Sequence, residues 1–267
     1  MSWNVATWNV NSVRAREPRL QLWLEQHQPD VLLLQETKVD DARFPRASIE
    51  ALGYHCSLFG QKGFNGVAVL SRQPVTALKR GFDDGEPEDE QSRFIRVFFN
   101  ESCLASVYVP NGASLDSDKY EYKLRWLERF LRCLRSQHEP AQPLLLGGDF
   151  NIIPDARDCR LEEQWLGTAL YAPAVRALLQ ELLAWGLVDL FRKHETEGGH
   201  FSWWDYRGFA FPKNDGARID FLLATASLAA QCSSCSIDRD ERRPKKHPST
   251  PSDHAPVVAC FEGAPLA

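Results

Sequence analysis

Apolar residues along the chain fall mostly into short runs broken by polar turns, with a few longer stretches where they recur at helical spacing. The short runs predict strands over residues 3–8, 31–34, 66–70, 94–99, 104–109, 144–146, 201–204, 219–223 and 256–261. Val31-Leu32-Leu33-Leu34 lacks any polar alternation, the pattern of a strand covered on both faces. Residues 120–135 place Leu124, Leu127, Leu131 and Leu134 on one stripe and predict the clearest helix. Helices are also predicted over residues 17–27, where Leu20, Trp23 and Leu24 share a face, and over residues 174–184. Two strand-rich halves, each with helices, predict an α/β sandwich: two packed sheets with helices on both outer sides. No repeat and no linker interrupts the 267 residues, which are read as one domain.

Composition narrows the function classes. A chain that is 43% hydrophobic and 25% charged can bury a sizeable core. The formal net charge of -5 argues against a protein that coats nucleic acid, since phosphate binding usually shows as a basic excess. It leaves room for an enzyme that holds a divalent cation with carboxylates and keeps its basic residues at the rim. The acidic run Asp83–Glu90 predicts a solvated loop, and the basic run from Arg239 to His247 either a solvated loop or phosphate contacts. Seven irregularly spaced cysteines, including a lone Cys232-x-x-Cys235, predict reduced thiols rather than a disulfide framework or a zinc site. The first residues carry no signal-peptide pattern and no apolar run reaches bilayer length, so a cytoplasmic protein without membrane contact is expected.

Candidate chemistry sits where the apolar runs stop. Asn9 follows the first predicted strand, Glu36 the second, and Tyr108 and Asn111 lie in YVPNG. Asp149 and Asn151 lie in GDFN, Asp220 in a late strand, and Asp253-His254 just before the last one. Strand ends put side chains on a sheet's rim, where function collects. Taken singly, a Glu there is a cap, GDFN is a turn and Asp-His is structural. Together the residue types suit hydrolysis of a phosphodiester, which needs its developing charge neutralised and a water activated. Glu36 and Asn9 are hard oxygen ligands for Mg²⁺, and Asp149 can orient or deprotonate water. Asn151 can hold water and phosphate, His254 paired with Asp220 can carry a positive charge, and Tyr108 can donate to a phosphate oxygen.

The segments TWNVNSVRAR, LLLQETK, YVPNG, GGDFNIIP, GLVDLFR, FSWWDYR, ARIDFLLA and PSDHAPV run in one order from about Val5 to Phe261. In that order the chain resembles the exonuclease III group of abasic-site nucleases within the endonuclease/exonuclease/phosphatase superfamily. The resemblance implies a DNase I-like four-layered α/β sandwich with its site at one end of the two sheets. It implies Mg²⁺, for which Mn²⁺ can substitute, at Glu36 and Asn9 with Asp253 close by. It also implies Tyr108 and Asn111 near the phosphate, Asp149 and Asn151 at the nucleophile, and the Asp220–His254 pair stabilising the phosphate.

As a bare pattern, FSWW fills an interior. The resemblance instead makes Trp203, with Ile219, the wall of a pocket for a flipped-out abasic sugar. The implied partner is double-stranded DNA with abasic sites or 3′ ends, incised 5′ to the abasic site and trimmed at 3′ ends; a monomer needs no special assumption. Ala217 stands where some relatives carry a large aromatic, which predicts a more open pocket. Asp158-Cys159-Arg160-Leu161 replaces a His-Asp-Pro turn, which leaves the balance of the two activities open. Two alternatives remain: a phosphatase or lipid phosphodiesterase of the same superfamily, and a binding protein that has lost the chemistry.

Overall fold

The computed structural model describes residues 2–243 and 249–263. The first half of the chain forms β1 (Ser2–Asn9), α1 (Val13–His27), β2 (Val31–Gln35), α2 (Arg46–Glu50), β3 (His55–Phe59), β4 (Val67–Ser71), β5 (Ala77–Arg80), β6 (Phe94–Phe99) and β7 (Ser102–Tyr108). It continues with α3 (Asp118–Gln137), β8 (Leu144–Asp149), α4 (Pro173–Ala184), β9 (Leu187–Asp189), α5 (Leu190–His194) and α6 (Ala210–Lys213). Then come β10 (Asp220–Thr225), α7 (Ala226–Gln231), β11 (Cys232–Ile237) and β12 (Val257–Glu262).

The strands make two six-stranded sheets, ordered β11-β12-β1-β2-β4-β3 and β5-β6-β7-β8-β10-β9. Both are mixed: β1 with β2 and β7 with β8 are parallel pairs at the centres. Alternation sorts the side chains into layers. Val5, Leu33 and Val69 of the first sheet meet Ile95, Leu104, Leu145 and Leu222 of the second in the central core. On the outer faces, Trp8 and Leu34 pack on Leu20, Trp23 and Leu24 of α1, and Leu146 and Phe221 pack near Phe130 of α3 and Leu179 of α4. The order helix, sheet, sheet, helix is the expected four-layered sandwich. The sheets meet closely at Gly147, where a Cβ would lie 2.4 Å from Leu33 Cδ1 and 2.8 Å from Leu222 Cδ2.

The four strands that the hydrophobic pattern does not predict are β3, β5, β9 and β11, which are the four sheet edges. An edge strand needs less apolar surface; β5 is exposed at every residue, and β11 carries a bulge between Cys232 and Ser234. One expectation is overturned: residues 201–204 are not a strand. Trp203 makes only isolated bridges, to Ala217 and His254, because Phe201 and Trp204 turn into a separate cluster and the Ser202 hydroxyl is taken by Asp220. Helix α1 also begins at Val13 rather than near Glu17. Ser12 caps it, and Pro18 lies on the exposed face of the helix. The acidic run is the expected solvated loop, tied to α3 at two points: Asp84 pairs with Arg129 at 2.7 Å and Asp89 accepts from Tyr122. The cysteines are free thiols, and no helix among the described residues is long and apolar enough to cross a membrane.

Candidate active site

Strand register gathers the polar strand ends at one edge of the sandwich. Asn9 pairs with Gln35, the residue before Glu36, in the parallel β1–β2 ladder. Asp149 is flanked by Tyr108 on β7 and by Asp220 on β10, which runs the other way, so a strand start meets strand ends. His254 precedes β12, whose first residue lies opposite Thr7 near the end of β1. Glu36 itself sits at φ 51°, in the left-handed region. Its turn rests against Gly66 (φ 85°), where a Cβ would come within 2.2 Å of Thr37 Oγ1.

The side chains form one connected network. Asn9 Nδ2 donates to Glu36 Oε1 at 2.8 Å and to Asp149 Oδ2 at 3.0 Å, joining the two sheets. Tyr108 donates its hydroxyl to Glu36 Oε1 at 2.9 Å. His254 Nδ1 lies 2.9 Å from Asp220 Oδ2, and its Nε2 is 3.8 Å from Asp149 Oδ2. Asp220 is fixed in turn by the Ser202 hydroxyl at 2.6 Å. Asn111 Nδ2 donates to Asn151 Oδ1 at 2.9 Å, and Asn151 N–H donates to Asp149 Oδ1 at 2.9 Å.

Burial and charge set the protonation states. Burial pushes Asp149 up to about 7; the His254 charge opposes this, while Asp220 and Glu36 add to it. Burial alone would lower His254, but Asp220 and Asp149 beside it raise it to about 10, so it stands as an imidazolium. For Glu36, burial is outweighed by Lys38, Asn9 and His254, and the carboxyl lies below its usual range. Burial, then the charges of Glu36 and Asp149, keep Tyr108 a neutral phenol.

One ligand atom each from Glu36, Asp149 and His254 lies within 4.8 Å of the others, a spacing that could hold a metal ion. An imidazolium has no lone pair to give, so the oxygen donors of this group are the two carboxylates. Glu36 is ionised, and a cation already fits against it: Lys38 Nζ is 2.7 Å from its Oε2. Hard oxygen donors with this charge suit Mg²⁺. Asn9 turns nitrogen toward the carboxylates, and its oxygen accepts from Asn11 N–H at 3.0 Å. Asp253 stands one step further out, accepting from Asn11 Nδ2 at 2.9 Å and from Trp203 Nε1 at 3.0 Å.

Beside the polar network lies an apolar wall of Ile153, Cys159, Tyr171, Ala217 and Ile219, with Trp165, Leu170 and Trp203 packed on it. Ala217 itself is fully buried in this wall. Trp165 stands edge-on to Trp203, with ring centroids 6.2 Å apart and planes at 75°. Of the basic run, Arg242 is buried, stacks on Tyr206 and donates to the Trp204 carbonyl, so it belongs to the packing. Lys245 and Lys246 lie outside the described residues.

A search of protein families matches residues 6–254 to the "Endonuclease/Exonuclease/phosphatase family". The chain belongs to this family. Within it, the chain is 38% identical to exodeoxyribonuclease III of Haemophilus influenzae, over 96% of this chain and 98% of that one. Its structure matches an AP endonuclease from Archaeoglobus fulgidus with TM-score 0.92 and 35% identity, covering 98% of this chain and all (100%) of the other. It matches a 3′ phosphatase, NExo, from Neisseria bound to a product DNA hairpin, with TM-score 0.91, 37% identity and coverage of 98% and 100%. Family membership accounts for the four-layered fold and makes the chain an enzyme of the phosphodiesterase type.

Residues absent from the sequence reading are Asn11, Lys38, Lys123, Trp165 and Ser202. Lys38 and Asn11 lie two residues after Glu36 and Asn9, where the same strand-end argument applies. Lys123 left a different signal: it precedes Leu127, Phe130 and Leu134 on the buried face of α3, a place for an apolar residue.

Proposed function

We propose that the chain is a metal-dependent DNA repair nuclease that hydrolyses the phosphodiester 5′ to abasic sites and also clears nucleotides or phosphate from 3′ ends. The observation that carries this is Asp149, a buried carboxylate shared between Asn9 and the His254 imidazolium and raised to about 7, where a base works at neutral pH. The relatives named for exodeoxyribonuclease III, AP endonuclease and 3′ phosphatase activities supply the substrate class. Glu36, with Asn9 and Asp253 beside it, would hold Mg²⁺, which would supply charge neutralisation at the phosphate.

Asp149 orients the attacking water and takes its proton as the oxygen bonds to phosphorus and the P–O3′ bond breaks. Asn151 and Asn111 hold the water and a phosphate oxygen. The His254 imidazolium, kept charged by Asp220, faces the negative charge that builds on phosphorus. Tyr108 donates to a non-bridging oxygen or to the leaving O3′. Trp203 and Ile219, with Trp165 behind them, form an apolar wall that offers a base no hydrogen bonds and so favours a sugar without one. The protein works as a cytoplasmic monomer.

Abasic duplex, 3′-recessed duplex and RNA–DNA hybrid, compared on one gel under identical Mg²⁺, test this. Incision of the abasic duplex and trimming of the recessed end, both abolished by EDTA, are expected. Full activity in EDTA, or release of phosphate from inositol phosphates with no cut DNA, would overturn the reading.

A further inference from the structure

The geometry points to Lys123 as a positioning residue whose buried ammonium ties the two asparagine-bearing loops of the active site to the segment behind its apolar wall. Lys123 extends from α3 and is fully buried. Its Nζ donates to the carbonyls of Asn111 at 3.1 Å, Asn151 at 2.6 Å and Ala169 at 2.9 Å. Three acceptors match the three N–H groups of an ammonium and exceed what a neutral amine can supply. Burial draws the group down to about 7, with Asp149 opposing, and the carbonyls favour the charged form.

The three carbonyls come from loops rather than from a helix or a ladder, so without Lys123 they would face the interior with a partner lost. Asn151 is the sharpest case. Its φ is 50°, in the left-handed region that asparagine tolerates better than other non-glycine residues and that its neighbours hold here. It is held at its N–H by Asp149, at its carbonyl by Lys123 and at its side-chain oxygen by Asn111. The third carbonyl, of Ala169, adjoins Leu170 and Tyr171 of the wall. One charge thus sets the spacing between the groups that hold water and phosphate and the surface that receives the sugar. Lys123 touches none of the reacting atoms and acts through the backbone alone.

The inference rests on the phosphodiesterase reading of the site, and its test uses an intact control. Lys123→Met keeps the aliphatic stem and removes every donor. Lys123→Arg keeps donors, and Lys123→Gln retains an amide should the Met variant not fold. Arg96→Met is the matched control: Arg96 is another fully buried cation, donating to the Phe82 carbonyl at 2.7 Å. Turnover is measured on abasic duplex well below each melting temperature, alongside hydrogen exchange of residues 109–113, 149–153 and 167–171.

Lys123→Met is expected to lower kcat by roughly 10- to 100-fold, with KM nearly unchanged, as a misplaced site does. Exchange in the three segments should rise, Lys123→Arg should restore most of kcat, and Arg96→Met should lower the melting temperature without either effect. A folded Lys123→Met with kcat within about twofold of wild type, or the same kcat loss in Arg96→Met, overturns the inference. Unchanged exchange in the three segments also overturns it. Should the wild type cut no DNA, the functional reading fails, and the exchange measurement alone still decides whether Lys123 ties the loops.

Discussion

In the mechanism we propose, Asp149 and His254 divide the work of the site by environment. Asp149 must be ionised to accept a proton, and burial raises it to about 7; His254 must be protonated to face phosphate, and its carboxylate neighbours raise it to about 10. The rate on abasic duplex should therefore rise through pH 7 and fall near pH 10, with both limbs belonging to the coupled pair. In His254→Gln the alkaline limb should vanish and kcat fall by about 10²–10³. The acid limb should also move upward, because the charge that held Asp149 down is gone. A pH profile of unchanged shape in that variant would refute the assignment. Asp149→Asn should leave less than about a thousandth of the activity, read as single-turnover incision. Glu36, Asp149, Asn151, Asp220 and His254 were all legible in the sequence, since each residue type at a strand end has few other uses in combination. Trp165 was not: nothing in the sequence places it edge-on to Trp203.

At the scale of elements, α3 carries both a site tie and a stability switch. His138 at its C-terminus is buried, and burial, aided by Arg96 and Lys79, lowers it to about 4. Between pH 4 and 6.5 the unfolded chain binds a proton that the folded one refuses, so stability falls as pH drops through this window. His138→Gln should flatten that loss, as seen in melting temperature against pH; an identical slope would show that His138 does not titrate so. The segment Asp158–Leu161, in which the sequence showed only a departure from relatives, is pinned by charge. Asp158 Oδ1 takes both Arg218 Nε at 2.5 Å and Arg192 at 2.6 Å, all at low exposure. Arg218 also keeps Asp189 at 2.8 Å, so Asp158→Asn should cost about 1–3 kcal/mol, the loss of charged hydrogen bonds rather than of all compensation, measured by denaturant unfolding. A cost below about 1 kcal/mol would mean that water replaces the pair. Edge strands were the elements missed, because the hydrophobic pattern records burial and edges have little of it.

For the whole molecule, the active site exists only where two sheets meet. Asn9, Glu36 and His254 belong to the first sheet or its rim, and Tyr108, Asp149 and Asp220 to the second. On the proposed assignment, the contact distance between the sheets sets the spacing of the catalytic groups. Gly147→Val, which pushes against Leu33 and Leu222, should destabilise by about 1–3 kcal/mol and lower kcat more than the melting temperature alone would suggest. Activity that simply tracks the folded fraction would argue against that coupling. Local pattern determined the strands of the interior, the helices that cover them and the chemical types waiting at the strand ends, because periodicity and residue type are properties of short segments. Only the tertiary structure decided which carboxylate ends up raised and which lowered, that Asn9 bridges the sheets, that Trp165 stands edge-on to Trp203, and that Lys123 reaches from a helix into three loops. Those outcomes depend on distances between residues up to 246 positions apart, as for Trp8 and His254, and no local pattern encodes such distances.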